Sequence, residues 1–449
     1  MTILRWLHCL KMTTLCWLLC LLAVAHAYGE SEKLQTVFEW KYIDYAFTSK
    51  AHRNSAIKSG DYNYTKCVMI DVDRWMDGRT FVTVIRGEGV PASLNTVSKK
   101  YGRGGPLLTP YPDWSWTNKS DCNSIINVYR VTIDRCDRLW VLDNGKIGDK
   151  KVCPPKLLVF DLYTDKLVEK IEIPDNVAIN PTTKEGLLVT PVVQTYGGRC
   201  TTTYVYMADV VGFGLVIYSS KTKQFWRLNS PIYQPDANHT MFTIAGESFE
   251  LPDGVLGMAL SPGYDENKRR LYFTSLAGLD INSVPVLDLR EDAKVIRYHK
   301  SESVLPSQGT ASGFSTTGTM FYGLTTETAI GCWNYFYPLR QRYMNIAVQD
   351  PERLQFASGV KVVSRHITGY GEELWTCSNR LQKIYSGTQN FTEINFRIMR
   401  GDVDDIVAGT QCESPYGRTY RNLVFPSPDE DRESYDIDED DLEESSDNQ

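Results

Sequence analysis

Between residues 130 and 173 the chain alternates apolar and polar positions in four short runs. Val131-Thr132-Ile133 alternates, and Asp134-Arg135-Cys136-Asp137 turns the chain. Leu139-Trp140-Val141-Leu142 follows, then Asp143-Asn144-Gly145 opens a loop. Residues 157–161 form a third apolar run, Tyr163-Thr164-Asp165-Lys166 turns again, and 168–173 alternate once more. Runs of β-branched and aromatic residues punctuated by Asp, Asn and Gly predict an antiparallel meander. A single meander leaves both faces bare, so it needs others like itself to stack against.

The second strand of this unit, with an aromatic at its middle, recurs along the chain. The six aromatics are Phe81, Trp140, Tyr206, Tyr272, Phe321 and Trp375, spaced 59, 66, 66, 49 and 54 residues apart. Strand-like runs such as Ile70-Asp71-Val72 and Val360-Lys361-Val362-Val363 precede most of them, and further strands follow. Six meanders of about four strands predict an all-β fold, a six-bladed β-propeller with antiparallel blades. Phe38-Glu39-Trp40-Lys41-Tyr42 reads as a strand ahead of the first blade. It is expected to close the ring beside residues 374–398.

Composition divides the chain in three. Residues 1–27 read as a signal peptide: Arg5 and Lys11 precede an apolar run at 15–24, and Ala25-His26-Ala27 fits a cleavage site. Residues 28–415 hold the propeller. Residues 416–449 form an acidic tail expected to stay disordered, with 12 acidic residues and one arginine from position 428 onward. Without tail and leader the body is nearly neutral, which gives no basis for a nucleic-acid partner. No later segment is apolar enough to span a membrane, so the mature protein is expected to be secreted.

Cysteine usage agrees with that compartment. Cys9, Cys16 and Cys20 leave with the leader and eight remain, an even number that favours disulfides of open connectivity. Four sequons, at Asn63, Asn118, Asn238 and Asn390, are candidate glycosylation sites on exposed loops. His52, His239, His299 and His366 are widely separated and have no metal-ligand spacing, and no nucleophile elbow or phosphate loop is present. A calcium site of lactonase type would have to gather Asp143, Asn144, Asp209, Glu327 and Asn334. No metal and no cofactor are expected.

Several stretches resemble the yellow/major royal jelly protein family of insects. They include Glu39-Trp40-Lys41-Tyr42-Ile43-Asp44-Tyr45-Ala46-Phe47, Gly89-Val90-Pro91-Ala92-Ser93-Leu94-Asn95 and Pro106-Leu107-Leu108-Thr109-Pro110-Tyr111-Pro112-Asp113-Trp114. Others are Cys136-Asp137-Arg138-Leu139-Trp140-Val141-Leu142-Asp143, Gly257-Met258-Ala259-Leu260-Ser261-Pro262, Gly331-Cys332-Trp333-Asn334 and Asn395-Phe396-Arg397-Ile398. The order and rough spacing follow the family from about residue 38 to 412. The resemblance implies a secreted propeller whose central channel holds a small ligand. Members differ in use: cuticle pigmentation and melanin, dopachrome conversion, nutrition, or binding of biogenic amines.

In the amine-binding members an Asn, a Phe two residues later and an upstream Thr contact the ligand. Asn334 and Phe336 match that pair, Thr319 stands where the Thr would be with Thr316, Thr317 and Thr325 as close alternatives, and the segment reads as following an inner strand of the fifth blade. An amide oxygen accepts from an ammonium or phenol, and a phenyl face stacks on a catechol or indole. The expected function is binding of a small aromatic amine or catechol, linked to pigmentation or cuticle biology. One alternative is a dopachrome isomerase, for which no catalytic residue is identifiable from spacing. The other is a structural or nutrient protein without a ligand.

Overall fold

Six antiparallel sheets stand in a ring in the computed structural model, which describes residues 33–197, 200–263, 265–364 and 371–415. The expected leader, the acidic tail and His366 lie outside the described residues. Blade 1 is built from Met69–Arg74, Thr80–Val84, Leu94–Tyr101 and Pro106–Pro110, innermost strand first. Blade 2 runs Val128–Ile133, Arg138–Asp143, Lys156–Asp161, Lys166–Glu172. Blade 3 runs Leu188–Tyr196, Thr202–Asp209, Gly214–Ser219, Gln224–Asn229. Blade 4 has Val255–Leu260, Arg270–Ser275 and Asn282–Pro285, with its outer position reduced to a single bridge between Ser283 and His299. Blade 5 is Gly309–Phe314, Thr319–Leu324, Ala329–Asn334, Asn345–Gln349.

Blade 6 takes three strands from one end of the chain and one from the other. Phe356–Ser364, Glu372–Asn379 and Phe396–Asp402 are completed by Gln35–Trp40, which pairs antiparallel with Phe396–Asp402. The segment ahead of the first blade therefore closes the ring, as its pattern predicts. Trp40 secures the closure: it is fully buried, and its indole N–H donates to the Pro106 carbonyl of blade 1 at 2.6 Å. Each innermost strand packs against that of the next blade, and Met69–Arg74 meets Phe356–Ser364 to complete the circle.

Burial explains the sequence pattern. The second strands are buried from both sides; Thr80–Val84 and Thr319–Leu324 have no exposed position, which is why they read as continuous apolar runs. All six recurring aromatics lie on these strands, and all are buried. The outermost strand Lys166–Glu172 alternates exposed and half-buried positions, as a strand with one wet face should. Asp137 and Asp165 hold the left-handed backbone of the turns at φ 57° and 56°, a conformation Asp tolerates better than most residues. Asp134 also anchors the core, since its carboxylate accepts from the Trp140 indole at 2.7 Å and from the Cys136 amide at 2.9 Å.

Six of the eight body cysteines pair, as Cys122–Cys153, Cys136–Cys200 and Cys332–Cys412. Cys67 and Cys377 remain thiols, so the even count overstates the bridging. Both are enclosed by one apolar cluster, and burial pushes each thiol up to about 12.

Candidate functional site

The innermost strand of every blade is an edge strand, and its inward amides and carbonyls need partners that no further strand supplies. Side chains from neighbouring blades provide them. Asp71 and Asp73 alternate along Met69–Arg74, which places both toward blade 2. There Asp71 accepts from the Val131 amide at 3.2 Å and Asp73 from the Ile133 amide at 3.1 Å. Lys361 of blade 6 donates to the Val131 carbonyl at 2.5 Å and stands 3.6 Å from Asp71. Arg130 of blade 2 donates to the Ser358 carbonyl at 2.5 Å, and Thr132 to the Pro191 carbonyl at 2.8 Å.

These side chains surround an axial cavity of about 220 Å³. Blades 3, 4 and 5 add Thr190, Met258, Ser312 and Phe314 to its wall. Four buried polar atoms on the lining residues have no protein hydrogen-bond partner: Asp71 Oδ1, Arg130 Nε, Thr190 Oγ1 and Ser312 Oγ. Buried polar groups are nearly always satisfied, so four unpaired atoms on the residues that line one small space set this region apart. Burial raises both carboxyls, with Lys361 opposing, and Asp73 is pushed up to about 6. Burial lowers Arg130, which stays a guanidinium because its ordinary value is so high.

The three residues singled out with the amine-binding pattern lie farther from the axis. Thr319 opens the second strand of blade 5 and Asn334 ends the third, so the segment does not follow the inner strand as its pattern suggested. The two are brought together: Asn334 Nδ2 donates to Thr319 Oγ1 at 3.3 Å, and both side chains donate to the Cys412 carbonyl, at 3.1 and 2.7 Å. Asn334 Oδ1 accepts from the Phe336 amide at 3.2 Å. None of the three is among the residues lining the axial cavity. A chain of rings joins the two places, since Phe314 of the cavity wall packs on Tyr335 at 6.3 Å and Tyr335 on Phe336 at 4.3 Å.

The residues considered for calcium are occupied locally. Asp143 is fully buried, pairs with Lys156 at 2.7 Å and accepts from the Ile126, Asn127 and Gly145 amides. Asp209 does the same work in blade 3 with Arg227 at 2.7 Å. Glu327 accepts from Ser307. Among the described residues no group of three or more His, Cys, Asp or Glu side chains is arranged to hold a metal.

A larger groove of about 660 Å³ lies beside the helix Lys50–Ser59, with the stacked rings of Phe47 and Trp114 on one wall. Its buried Arg86 is caged by the carbonyls of Val90, Pro91, Thr117, Ile125 and Ile126. The Tyr-rich patches are packing: Tyr45 meets Tyr62 edge-on, and Tyr42 lies against Tyr64. All four sequon asparagines are exposed. Among the described residues no helix is long and apolar enough to cross a membrane.

Sequence reasoning missed Asp71, Asp73, Arg130 and Lys361 as a group. The available signal was a charge set inside an otherwise apolar inner-strand run, as in Ile70-Asp71-Val72 and Val360-Lys361-Val362.

The family model described as Major royal jelly protein matches residues 126–412. Major royal jelly protein 9 of Apis mellifera is 43% identical over 389 residues, covering 85% of this chain and 90% of the relative. Major royal jelly protein 8 of the same species is 41% identical over 402 residues, covering 87% and 95%. Among solved structures, a luciferin-regenerating enzyme aligns with a TM-score of 0.44 at 9% identity, covering 82% of this chain and 95% of that one. A likeness at that level carries no argument about function.

Proposed function

The chain belongs to the major royal jelly protein family, and from that premise we propose a secreted propeller that binds a small aromatic amine or catechol in its axial cavity, in the service of pigmentation, melanin or cuticle chemistry. The observation that carries this reading is one axial cavity to which all six blades contribute, with Asp71, Asp73, Arg130, Lys361, Thr190, Ser312 and Phe314 among the lining residues. At about 220 Å³ the cavity falls below the roughly 300–1,000 Å³ of drug-sized pockets and suits a molecule of one or two rings. Asp71 and Asp73 bring carboxylates for an ammonium or phenol, Thr190 and Ser312 bring hydroxyls, and Phe314 offers an aromatic face.

Thr319, Asn334 and Phe336 enter as the aromatic rim beside the seat. Asn334, fixed by Thr319 and the Cys412 carbonyl, sets the backbone of Phe336, whose ring continues outward from Phe314 through Tyr335. The expected leader, the three disulfides and the exposed sequons at Asn63, Asn118, Asn238 and Asn390 support secretion. Calorimetric titration with dopamine and serotonin, on wild type and Asp71→Asn, tests the binding. Heat from wild type that falls at least about tenfold in affinity in the variant supports it. No heat from wild type discards it in favour of a structural or nutrient protein.

Asp73 favours a second reading, dopachrome isomerisation. A buried carboxyl pushed up to about 6 is poised to take a proton near neutral pH. A dopachrome decay assay decides, with Asp73→Asn as control: a wild-type rate no faster than buffer ends this reading.

A further inference from the structure

We propose that the groove beside the helix Lys50–Ser59 seats the chain's own N-linked glycan, carried by Asn118 and folded back over the rings of Phe47 and Trp114. The groove shares no lining residue with the axial cavity. The inference draws on the functional reading above only for secretion.

Asn118 follows the short 3-10 turn Trp114–Thr117, and Trp114, Thr117 and Asn118 all line the groove. At a rise of about 2 Å per residue, the attachment point stands about 8 Å from the Trp114 backbone. Asn118 Oδ1 accepts from the Ser120 amide at 3.0 Å. Its Nδ2, the atom that carries the sugar in a sequon, makes no hydrogen bond among the described residues. At Asn390 the same atom is taken by Glu393 at 2.9 Å. Asn63, Asn238 and Asn390 are not among the residues that line the groove.

The helix turns His52, Ser55, Ala56 and Ser59 toward the groove, a single face at i, i+3, i+4 and i+7. A helix that packs on a body carries an apolar stripe at that spacing. Here the face is short and mostly polar, which leaves about 660 Å³ open, within the roughly 300–1,000 Å³ of ligand sites. His52 meets Phe47 and Trp114 edge-on at 5.1 and 4.8 Å, and the Trp114 indole is anchored on the Ala46 carbonyl at 3.1 Å. A sugar lays its C–H face on such rings and turns its hydroxyls to polar side chains, here Ser55 and Glu88. An apolar occupant would bury those two groups unpaired. Asp61 and Glu88 balance Arg86 and Lys119, so the lining has a formal charge of zero with His52 neutral, which suits an uncharged occupant. A group tethered at the rim is also presented at about millimolar effective concentration, so weak contacts are enough to seat it.

Glycopeptide mass spectrometry of the whole protein secreted from insect cells should find Asn118 occupied. Native digestion with peptide N-glycosidase, followed site by site, then reads the seat. Ser55→Trp fills the groove from an exposed helix position, and Trp114→Ala removes the platform. Each should release the Asn118 glycan at least about tenfold faster than wild type, the ratio for a seated state that outnumbers the free one ten to one. Rates at the other occupied sequons should not change. Asn118 bare while another sequon is occupied overturns the inference and leaves secretion standing. All four bare overturns it and removes the sequon support for secretion. A rate at Asn118 that is the same in Ser55→Trp as in wild type overturns the seat. If Trp114→Ala does not fold, Ser55→Trp decides.

Discussion

Gly359 and Asp71 meet across the seam where blade 6 joins blade 1, and a single carbon added at Gly359 would stand 2.9 Å from Asp71 Oδ1 and 3.1 Å from its Cα. The residues are far apart in sequence, and the contact exists only because the ring closes. The glycine is there for close approach: without a side chain, the strand lets a carboxylate sit at the axis.

Gly359→Ala is therefore expected to displace Asp71. Overpacking of this kind costs about 1–3 kcal/mol, which lowers the melting temperature by a few degrees in scanning calorimetry. The same variant should bind dopamine more weakly than wild type. Unchanged stability and affinity together would show that the seam has slack.

Lys156 and Asp143 form a pair 2.7 Å apart with both side chains essentially out of water. Lys156→Met removes the cation and leaves a buried carboxylate that three backbone amides only partly compensate. Urea unfolding should show a loss of about 3–5 kcal/mol, and the double variant Lys156→Met with Asp143→Asn should recover part of it.

Asp253 is pushed up to about 6 by burial alone. Its folded value lies above the unfolded value of about 3.9. Its protonated form is thus favoured by folding, and its contribution is present below about pH 4 and lost as pH rises through about 6. Asp73 acts in the same direction. Asp253→Asn should melt above wild type at pH 7.5, with the difference vanishing by pH 4. A variant less stable than wild type at pH 7.5 would contradict this.

The Cys332–Cys412 bridge spans 80 residues and holds the carbonyl that Thr319 and Asn334 share. Replacing both cysteines by serine should cost about 2–5 kcal/mol in denaturant unfolding. It should also loosen Phe336, read as faster amide exchange at that residue.

The ring was legible because each blade repeats one local signal. Phe81, Trp140 and Trp375 mark second strands buried on both faces, and a buried run looks alike wherever it occurs. Closure by Gln35–Trp40 was also readable, since an orphan strand at one end of a circular array has few places to go. The axial site was hidden for the opposite reason. Asp71 gains its meaning from Val131, Lys361 and Gly359 on other blades, and nothing in its own strand specifies those neighbours. Asn334 shows the converse limit: an Asn-x-Phe pattern carries no information about distance from the axis, and the chain places it at the end of a third strand. Cys67 and Cys377 show that an even count favours bridges without assigning them: both are thiols, as buried as the bridged Cys332 and Cys412.

The most direct test is a crystal structure of the protein soaked with L-DOPA or dopamine. The expected result is density for the ring against Phe314, with the ligand's ammonium within about 3 Å of the Asp71 or Asp73 carboxylate. A ligand seated instead beside Asn334 and Phe336, or an axial cavity holding only water at saturating ligand, would contradict the account.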